Sequence, residues 1–130
     1  GTETVLVVED EGPVRRLVQT ILERNGYSVL EANNGEEALR LMARHEGPIH
    51  LLLTDVVLPK MSGPQLAQSM TTLHPGIRVL YMSGYADKAS VQQGLLNSST
   101  AFLQKPFTPD ALAGKVREVL SVCVKSSFEH

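Results

Sequence analysis

Five short apolar runs, separated by amphipathic stretches, constrain the fold of this 130-residue chain more than any other feature. The runs cover residues 4–8, 27–32, 49–54, 77–82 and 101–104. After the first run, apolar residues recur at the spacing of one helix face, at Val14, Leu17, Val18, Ile21 and Leu22. Regular alternation with short links is typical of a parallel sheet covered on both faces by helices. We therefore predict an α/β fold with an open, doubly wound, five-stranded sheet, because a barrel of eight such units needs about 250 residues.

Turn and capping residues predict where the helices lie. Asn25-Gly26 ends the first helix, and Asn33-Asn34-Gly35 begins the second. The third helix ends at His74-Pro75-Gly76. The stretch 86–97 has a weaker helical pattern, and Thr108-Pro109-Asp110 begins the last helix.

Composition places the chain among globular proteins. Of its residues 42% are hydrophobic and 20% are charged, and no segment approaches the roughly 20 apolar residues of a membrane span. The formal net charge is −2 and Lys and Arg do not cluster, so we expect neither nucleic-acid binding nor membrane contact. Cys123 is the single cysteine, which favours a cytoplasmic location. We predict one domain over residues 1–121, followed by a tail, 122–130, that is disordered or derives from an expression vector.

Polar residues follow four of the five predicted strands. In chain order they are Glu9, Asp10 and Glu11 after the first strand, Asp55 after the third, Ser83 after the fourth and Lys105 after the fifth. Ligands of open α/β sheets bind beyond the carboxyl ends of the strands, near the point where strand order reverses. If the order is 2-1-3-4-5, these groups converge on one crevice. Taken singly, Asp10 could cap a helix and Ser83 could belong to a turn, but their joint occurrence favours a functional site.

The charges of this cluster point to a bound cation. Two carboxylates about 5 Å apart repel by roughly 3 kcal/mol at an effective dielectric constant near 20, and one lysine cannot neutralise three of them. Oxygen ligands without a nearby Cys or His pair suit a hard ion, Mg²⁺ or Mn²⁺. A carboxylate, a divalent cation, a hydroxyl and an ammonium group are the groups that phosphoryl transfer to an aspartate uses. Asp55 is then the predicted nucleophile, and Lys105 and the Ser83 hydroxyl are the catalytic residues that stabilise the phosphoryl oxygens.

The span from Val5 to about Leu120 resembles the receiver domains of two-component response regulators. The motifs that carry the resemblance are Glu9-Asp10, Leu53-Thr54-Asp55-Val56-Val57-Leu58-Pro59 with Gly63, Ser83-Gly84, and Lys105-Pro106-Phe107. The resemblance implies a flavodoxin-like (βα)5 sheet of order 2-1-3-4-5 and a cis Lys105-Pro106 peptide. It also implies phosphorelay signalling, in which a histidine kinase or histidine phosphotransfer domain donates the phosphoryl group from a phosphohistidine. Such a domain catalyses its own phosphorylation and dephosphorylation, and the modified form controls a partner or an attached domain.

The same resemblance implies a ligand set for the metal. Asp10 and Asp55 would bind Mg²⁺ directly, Glu9 through water, and Val57 through its backbone carbonyl. Glu9 stands where Asp is commoner in the family, which lengthens this arm of the site.

Switching and hydrolysis are also assigned by resemblance. Ser83 and Phe102 would be the switch residues. Phe102 stands where Tyr is frequent, and it should take a buried rotamer once Ser83 moves toward the phosphoryl group. Val57 and Tyr85 occupy the positions that tune hydrolysis, and because neither orients water well, we predict a long-lived phosphoaspartate.

The context of the domain is predicted from two segments. Residues 81–85 and 102–107 most resemble receivers attached to hybrid sensor histidine kinases, and the sequence does not begin with Met. We therefore expect a fragment of such a kinase, with a stand-alone response regulator as the alternative. The fourth and fifth predicted helices, with the fifth strand, form the surface expected to meet partners, including a second copy in a homodimer.

Two other classes of protein share parts of this pattern. A haloacid-dehalogenase-like phosphatase also uses an aspartyl nucleophile, but it needs Asp-x-Asp after its first strand, where this chain has Glu9-Asp10-Glu11. A flavodoxin-like electron carrier needs a phosphate-binding loop at the same place, and three acidic residues would repel the flavin phosphate.

Overall fold

The computed structural model describes residues 2–84 and 101–128. Tyr85 and the helix predicted over 86–97 lie outside these residues. Along the chain the elements are β1 (Thr4–Val8), α1 (Gly12–Arg24), β2 (Ser28–Ala32), α2 (Gly35–Arg44), β3 (Leu51–Asp55), α3 (Gly63–Leu73), β4 (Arg78–Ser83), β5 (Ala101–Gln104) and α4 (Pro109–Phe128).

The five strands form one parallel sheet in the order β2-β1-β3-β4-β5. This confirms the flavodoxin-like, doubly wound arrangement that the sequence predicts. The register pairs Val8 with Thr54, and Asp55 with Met82, so the carboxyl ends of β1, β3 and β4 meet at one edge. That edge carries the candidate site.

Side chains alternate between two apolar layers, one on each face of the sheet. Val5, Val7, Leu51 and Leu53 point to the layer that α1 and α4 cover. Leu6, Val8 and Leu52 point to the layer that α2 and α3 cover. All of these strand residues are fully buried, which explains why the strands read as continuous apolar runs rather than alternating ones.

Local capping groups and one glycine fix ends of the first three helices. The Asn34 side chain accepts the N–H of Glu37 at 2.8 Å at the start of α2. Ser62 and Gln65 form a capping box at the start of α3, with each side chain accepting the other's backbone N–H. Gly26, which follows the C-cap residue Asn25 of α1, has a φ of 92°, which favours glycine.

The structure corrects several details of the predicted elements. Leu17, predicted on the buried face of α1, is 51% exposed, because the buried stripe runs through Val18, Ile21 and Leu22 instead. Asp55 and Ser83 are the last residues of β3 and β4 rather than the residues after them. The helix α4 runs to Phe128. The end of the domain at residue 121 is not tested by this helix and stays a prediction. None of the helices within 2–84 and 101–128 has both the length and the apolar character needed to cross a bilayer.

Candidate functional site

Three of the predicted site residues meet through ion pairs at the carboxyl edge of the sheet. Lys105, just after β5, places its Nζ atom 2.9 Å from Oε1 of Glu9 and 2.6 Å from Oδ1 of Asp55. Glu9 follows β1 and Asp55 ends β3. The Lys105 ammonium group therefore links residues at the carboxyl ends of β1, β3 and β5. The 96-residue sequence separation between Lys105 and Glu9 is closed by the topology of the sheet.

Asp10 completes an acidic cluster with Glu9 and Asp55. One carboxylate oxygen from each residue lies within 4.8 Å of the others. Glu9 and Asp55 are buried, with relative exposures of 0% and 4%, whereas Asp10 is exposed. The cluster therefore has a buried floor and an opening to solvent on the Asp10 side.

The charge and hydrogen bonding of the cluster fit a divalent cation. In the part of the chain that the structure describes, three carboxylates face the ammonium group of Lys105, which leaves an excess of negative charge. Oε2 of Glu9 is buried and has no hydrogen-bond partner among the residues that the structure describes, and a buried carboxylate oxygen is costly to leave unpaired. An all-oxygen set of this kind is what Mg²⁺ prefers. The residues present thus suit the hard divalent ion predicted from the sequence.

The segment after Asp55 is packed tightly against the strand end. The N–H of Val56 donates to the carbonyl of Met82 at 3.1 Å, and the N–H of Gly63 donates to the carbonyl of Val56 at 2.8 Å. A Cβ atom at position 63 would collide with the backbone carbonyl oxygen of Asp55. Gly63 is therefore required for α3 to approach the strand, which gives a physical reason for this motif glycine. Val57 within this segment is 58% exposed.

Ser83 ends β4, and Lys105 follows the neighbouring strand β5. The carbonyl of Ser83 accepts the N–H of Lys105 at 2.8 Å, and the Ser83 side chain is buried at the end of β4. The register places Ser83 one residue beyond Met82, the partner of Asp55. The Lys105-Pro106 peptide is cis, as the resemblance implies.

Phe102 lies on β5 beside an aromatic neighbour on β4. Its ring centroid is 5.7 Å from that of Tyr81, with the planes tilted by 33°. Phe102 is partly buried against the layer that α2 and α3 cover. Burial raises the pKa of the Tyr81 phenol to about 12, because desolvation disfavours the phenolate.

Arg15 is a residue of this region that the sequence analysis missed. Its Nη1 atom donates to the backbone carbonyl of Glu9 at 2.7 Å, and its Nε atom donates to Glu31 at 3.3 Å. A signal for it exists in the sequence: Arg15 lies three and seven residues before Val18 and Leu22, so a charged residue continues the buried stripe of α1.

Comparison with known proteins identifies the family. A model described as the response regulator receiver domain matches residues 5–117. The chain belongs to the response regulator receiver domain family. It is thus a receiver domain of two-component signalling, the class that acts with histidine kinases or phosphotransfer proteins and typically uses a divalent cation. The receiver domain predicted by resemblance is confirmed, and not the phosphatase or electron-carrier alternatives.

Relatives of this receiver include both attached and stand-alone forms. It is 40% identical over 120 residues to the sensor kinase CckA of Brucella abortus, covering 92% of this chain and 13% of that protein. It is 32% identical over 116 residues to the response regulator receiver protein CpdR of the same organism, covering 89% of this chain and 95% of that protein. The solved receiver domain of the hybrid histidine kinase CckA is 32% identical, with a TM-score of 0.75 over 90% of this chain and 98% of that one. A CheY-like receiver of Methanospirillum hungatei is 28% identical, with a TM-score of 0.82 over 97% and 99% of the two chains.

Proposed function

We propose that Asp55 is the phosphoacceptor of this receiver domain. The observation that carries the proposal is the contact of Lys105 Nζ with Asp55 at 2.6 Å inside a buried acidic cluster. A carboxylate at the end of a buried strand, beside a fixed ammonium group and open to solvent at Asp10, is a positioned nucleophile rather than a structural ion pair.

In the proposed transfer, one Asp55 carboxylate oxygen forms a bond to phosphorus while the phosphorus–nitrogen bond of the donor phosphohistidine breaks. The electron pair of that bond leaves on the imidazole ring of the donor. Lys105 stabilises negative charge on the phosphoryl oxygens, and the Ser83 hydroxyl donates a hydrogen bond to one of them. Lys105 must then exchange its present carboxylate contacts in part for contacts with the phosphoryl group.

The divalent cation would be held by Asp10 and Asp55, by Glu9 through water, and by the backbone carbonyl of Val57. When bound, Mg²⁺ neutralises charge on the carboxylates and the incoming phosphoryl group. The support from the structure is the excess negative charge of the cluster and the Oε2 atom of Glu9, which has no hydrogen-bond partner within residues 2–84 and 101–128.

The switch would run from Ser83 to Phe102. Their strands are adjacent, and Ser83 pairs with Gln104, two residues beyond Phe102. Ser83 moving toward the phosphoryl group would open room near Phe102, which already packs partly against the layer under α2 and α3. The surface that reads this change would include β5 and α4, together with the helix predicted over 86–97, and it would also serve a homodimer.

The partner that donates the phosphoryl group would be a histidine kinase or a histidine phosphotransfer domain in the cytoplasm. The 40% identity to the CckA sensor kinase favours a parent chain of the hybrid-kinase type. The match over 95% of CpdR keeps a stand-alone regulator as the alternative. Reading the full-length coding sequence decides between them.

Asp55→Asn is the direct test of the phosphoacceptor. With acetyl phosphate and millimolar Mg²⁺, intact mass spectrometry should show one added phosphoryl group on the wild-type chain and none on the variant. Asp110→Asn, an exposed carboxylate in the first turn of α4, is the matched control and should label normally. Labelling that persists in Asp55→Asn would overturn the proposal. The same preparation gives the lifetime of the phosphoaspartate, and a half-life of seconds would contradict the stability expected from Val57 and Tyr85.

A further inference from the structure

Arg15 braces the loop that carries two residues of the acidic cluster. Its guanidinium group donates from Nη1 to the Glu9 carbonyl at 2.7 Å and from Nε to a carboxylate oxygen of Glu31 at 3.3 Å. Its own N–H donates to the carbonyl of Glu11 at 2.9 Å. The backbone and the side chain of Arg15 therefore close the Glu9–Glu11 loop from both ends.

The loop is anchored on its other side by β2. The N–H of Glu9 donates to the carbonyl of Ala32 at 3.1 Å, which extends the ladder between β1 and β2 by one residue. Glu31, the second partner of Arg15, is the residue before Ala32. Arg15 thus links the helix α1 to the same strand that already holds the Glu9 backbone.

Such bracing matters because Glu9 is held in a position of high energy. Its side chain is 0% exposed and reaches Lys105 with one oxygen, while the other oxygen lacks a partner among the described residues. Repulsion from the carboxylates of Asp55 and Asp10, which have oxygens within 4.8 Å of one of Glu9, opposes this placement of Glu9. A bond from a cationic donor to the Glu9 carbonyl resists that movement, and a forked guanidinium group can hold both acceptors at once.

We propose that Arg15 is a positioning residue for the metal site, acting through Glu9 and Asp10 without touching the ion. The inference rests on the proposed function, because it assumes that the acidic cluster binds a divalent cation. Arg15 holds the backbone that carries the ligands, and loss of groups that orient metal ligands typically weakens metal affinity by about 10–100-fold.

The sign of the effect separates positioning from simple electrostatics. Removing a positive charge near an anionic cluster should by itself strengthen the binding of a cation. Loss of the hydrogen bonds from Arg15 to Glu9 and Glu31 should weaken the binding of the cation. Arg15→Ala and Arg15→Lys test the two contributions, because lysine keeps the charge but cannot hold both acceptors in the forked geometry. Arg16→Ala is the matched control, since Arg16 is the next residue of α1, is exposed and carries the same charge.

The experiment measures Mg²⁺ affinity by calorimetric titration of the wild type and the three variants. We expect affinity to fall about tenfold in Arg15→Ala, and to fall also in Arg15→Lys, and to stay level or rise slightly in Arg16→Ala. A second readout needs no metal: amide hydrogen exchange across residues 9–11 in EDTA should speed up in both Arg15 variants and not in Arg16→Ala.

The outcomes distinguish this inference from the proposed function. If wild type binds no Mg²⁺, the proposed metal site fails whatever Arg15 does. If wild type binds Mg²⁺ but Arg15→Ala binds as tightly as Arg16→Ala, the positioning role is overturned and the metal site stands. A lower melting temperature in Arg15→Ala with unchanged Mg²⁺ affinity and unchanged exchange at residues 9–11 would equally overturn it, because that is the result of a merely structural contact.

Discussion

Replacing Lys105 with methionine should leave the Glu9 and Asp55 carboxylates buried without the ammonium group that they share. Nζ lies 2.9 Å from Glu9 and 2.6 Å from Asp55, and the exposed fractions of the two carboxyl side chains are 0% and 6%. Methionine retains an apolar stem of similar length, so the substitution changes charge more than packing. We expect the variant to fold but to be markedly less stable in the absence of metal.

The size of the loss follows from the distances. At an effective dielectric constant of about 20, each Lys105 contact attracts by about 6 kcal/mol, and two carboxylates within 4.8 Å repel by about 3.5 kcal/mol. We expect a smaller loss of stability than these sums, because the site relaxes and because protonating an ordinary carboxyl group at pH 7 costs only about 4 kcal/mol. Removing one partner of a buried pair costs about 3–5 kcal/mol. Lys105 is 24% exposed, so we expect about 3 kcal/mol, the lower end of that range.

The assay is thermal unfolding by circular dichroism at pH 7 in EDTA. For a 130-residue domain, an unfolding entropy of about 2.1 cal/mol/K per residue converts about 3 kcal/mol into a fall in Tm of about 11 °C. Lys115→Met is the matched control: Lys115 pairs with Glu118 at 2.7 Å on the surface, where such a pair contributes no more than about 1 kcal/mol. Millimolar Mg²⁺ should recover more of the Tm in Lys105→Met than in wild type, because the cation supplies the missing charge. A Tm in EDTA no lower than that of Lys115→Met would refute the reasoning.

Two further predictions concern the strand end and the aromatic pair. Gly63→Ala should lower stability by about 2–3 kcal/mol, because the added methyl group meets the Asp55 carbonyl; Gly114→Ala, where nothing lies within 4 Å, should instead raise stability by about 0.5–1 kcal/mol, and urea unfolding of both variants checks the contrast. Tyr81 should ionise at about pH 12 in an alkaline absorbance titration, a step that Tyr81→Phe removes. Because its pKa is raised in the folded state, the stability that Tyr81 contributes is present below about pH 10 and is lost as the pH rises to about 12. A titration step near pH 10 that Tyr81→Phe removes would contradict the burial argument.

Within residues 2–84 and 101–128, helix and strand positions followed well from the sequence because the fold is built from local patterns. Each strand of this sheet is covered on both faces, so its residues are apolar in an unbroken run that stands out in the chain. The side chains of the cap residues Asn34 and Thr108 accept backbone N–H groups from residues three positions later. Such caps can be predicted from the sequence because the cap residue and its partner are close along the chain. The exposure of Leu17 did not follow, because an apolar residue at the edge of a helix stripe is covered only if a neighbouring element reaches it.

The sequence by itself determined the alternation of strands and helices, and it determined that Glu9, Asp55, Ser83 and Lys105 stand at strand ends, since these are properties of neighbours along the chain. Only the tertiary structure decided that one lysine bridges Glu9 and Asp55, and that Arg15 holds the Glu9 backbone. Those contacts join residues that are brought together by strand order and by the direction of α1. They can form only when the sheet and the helix have been assembled.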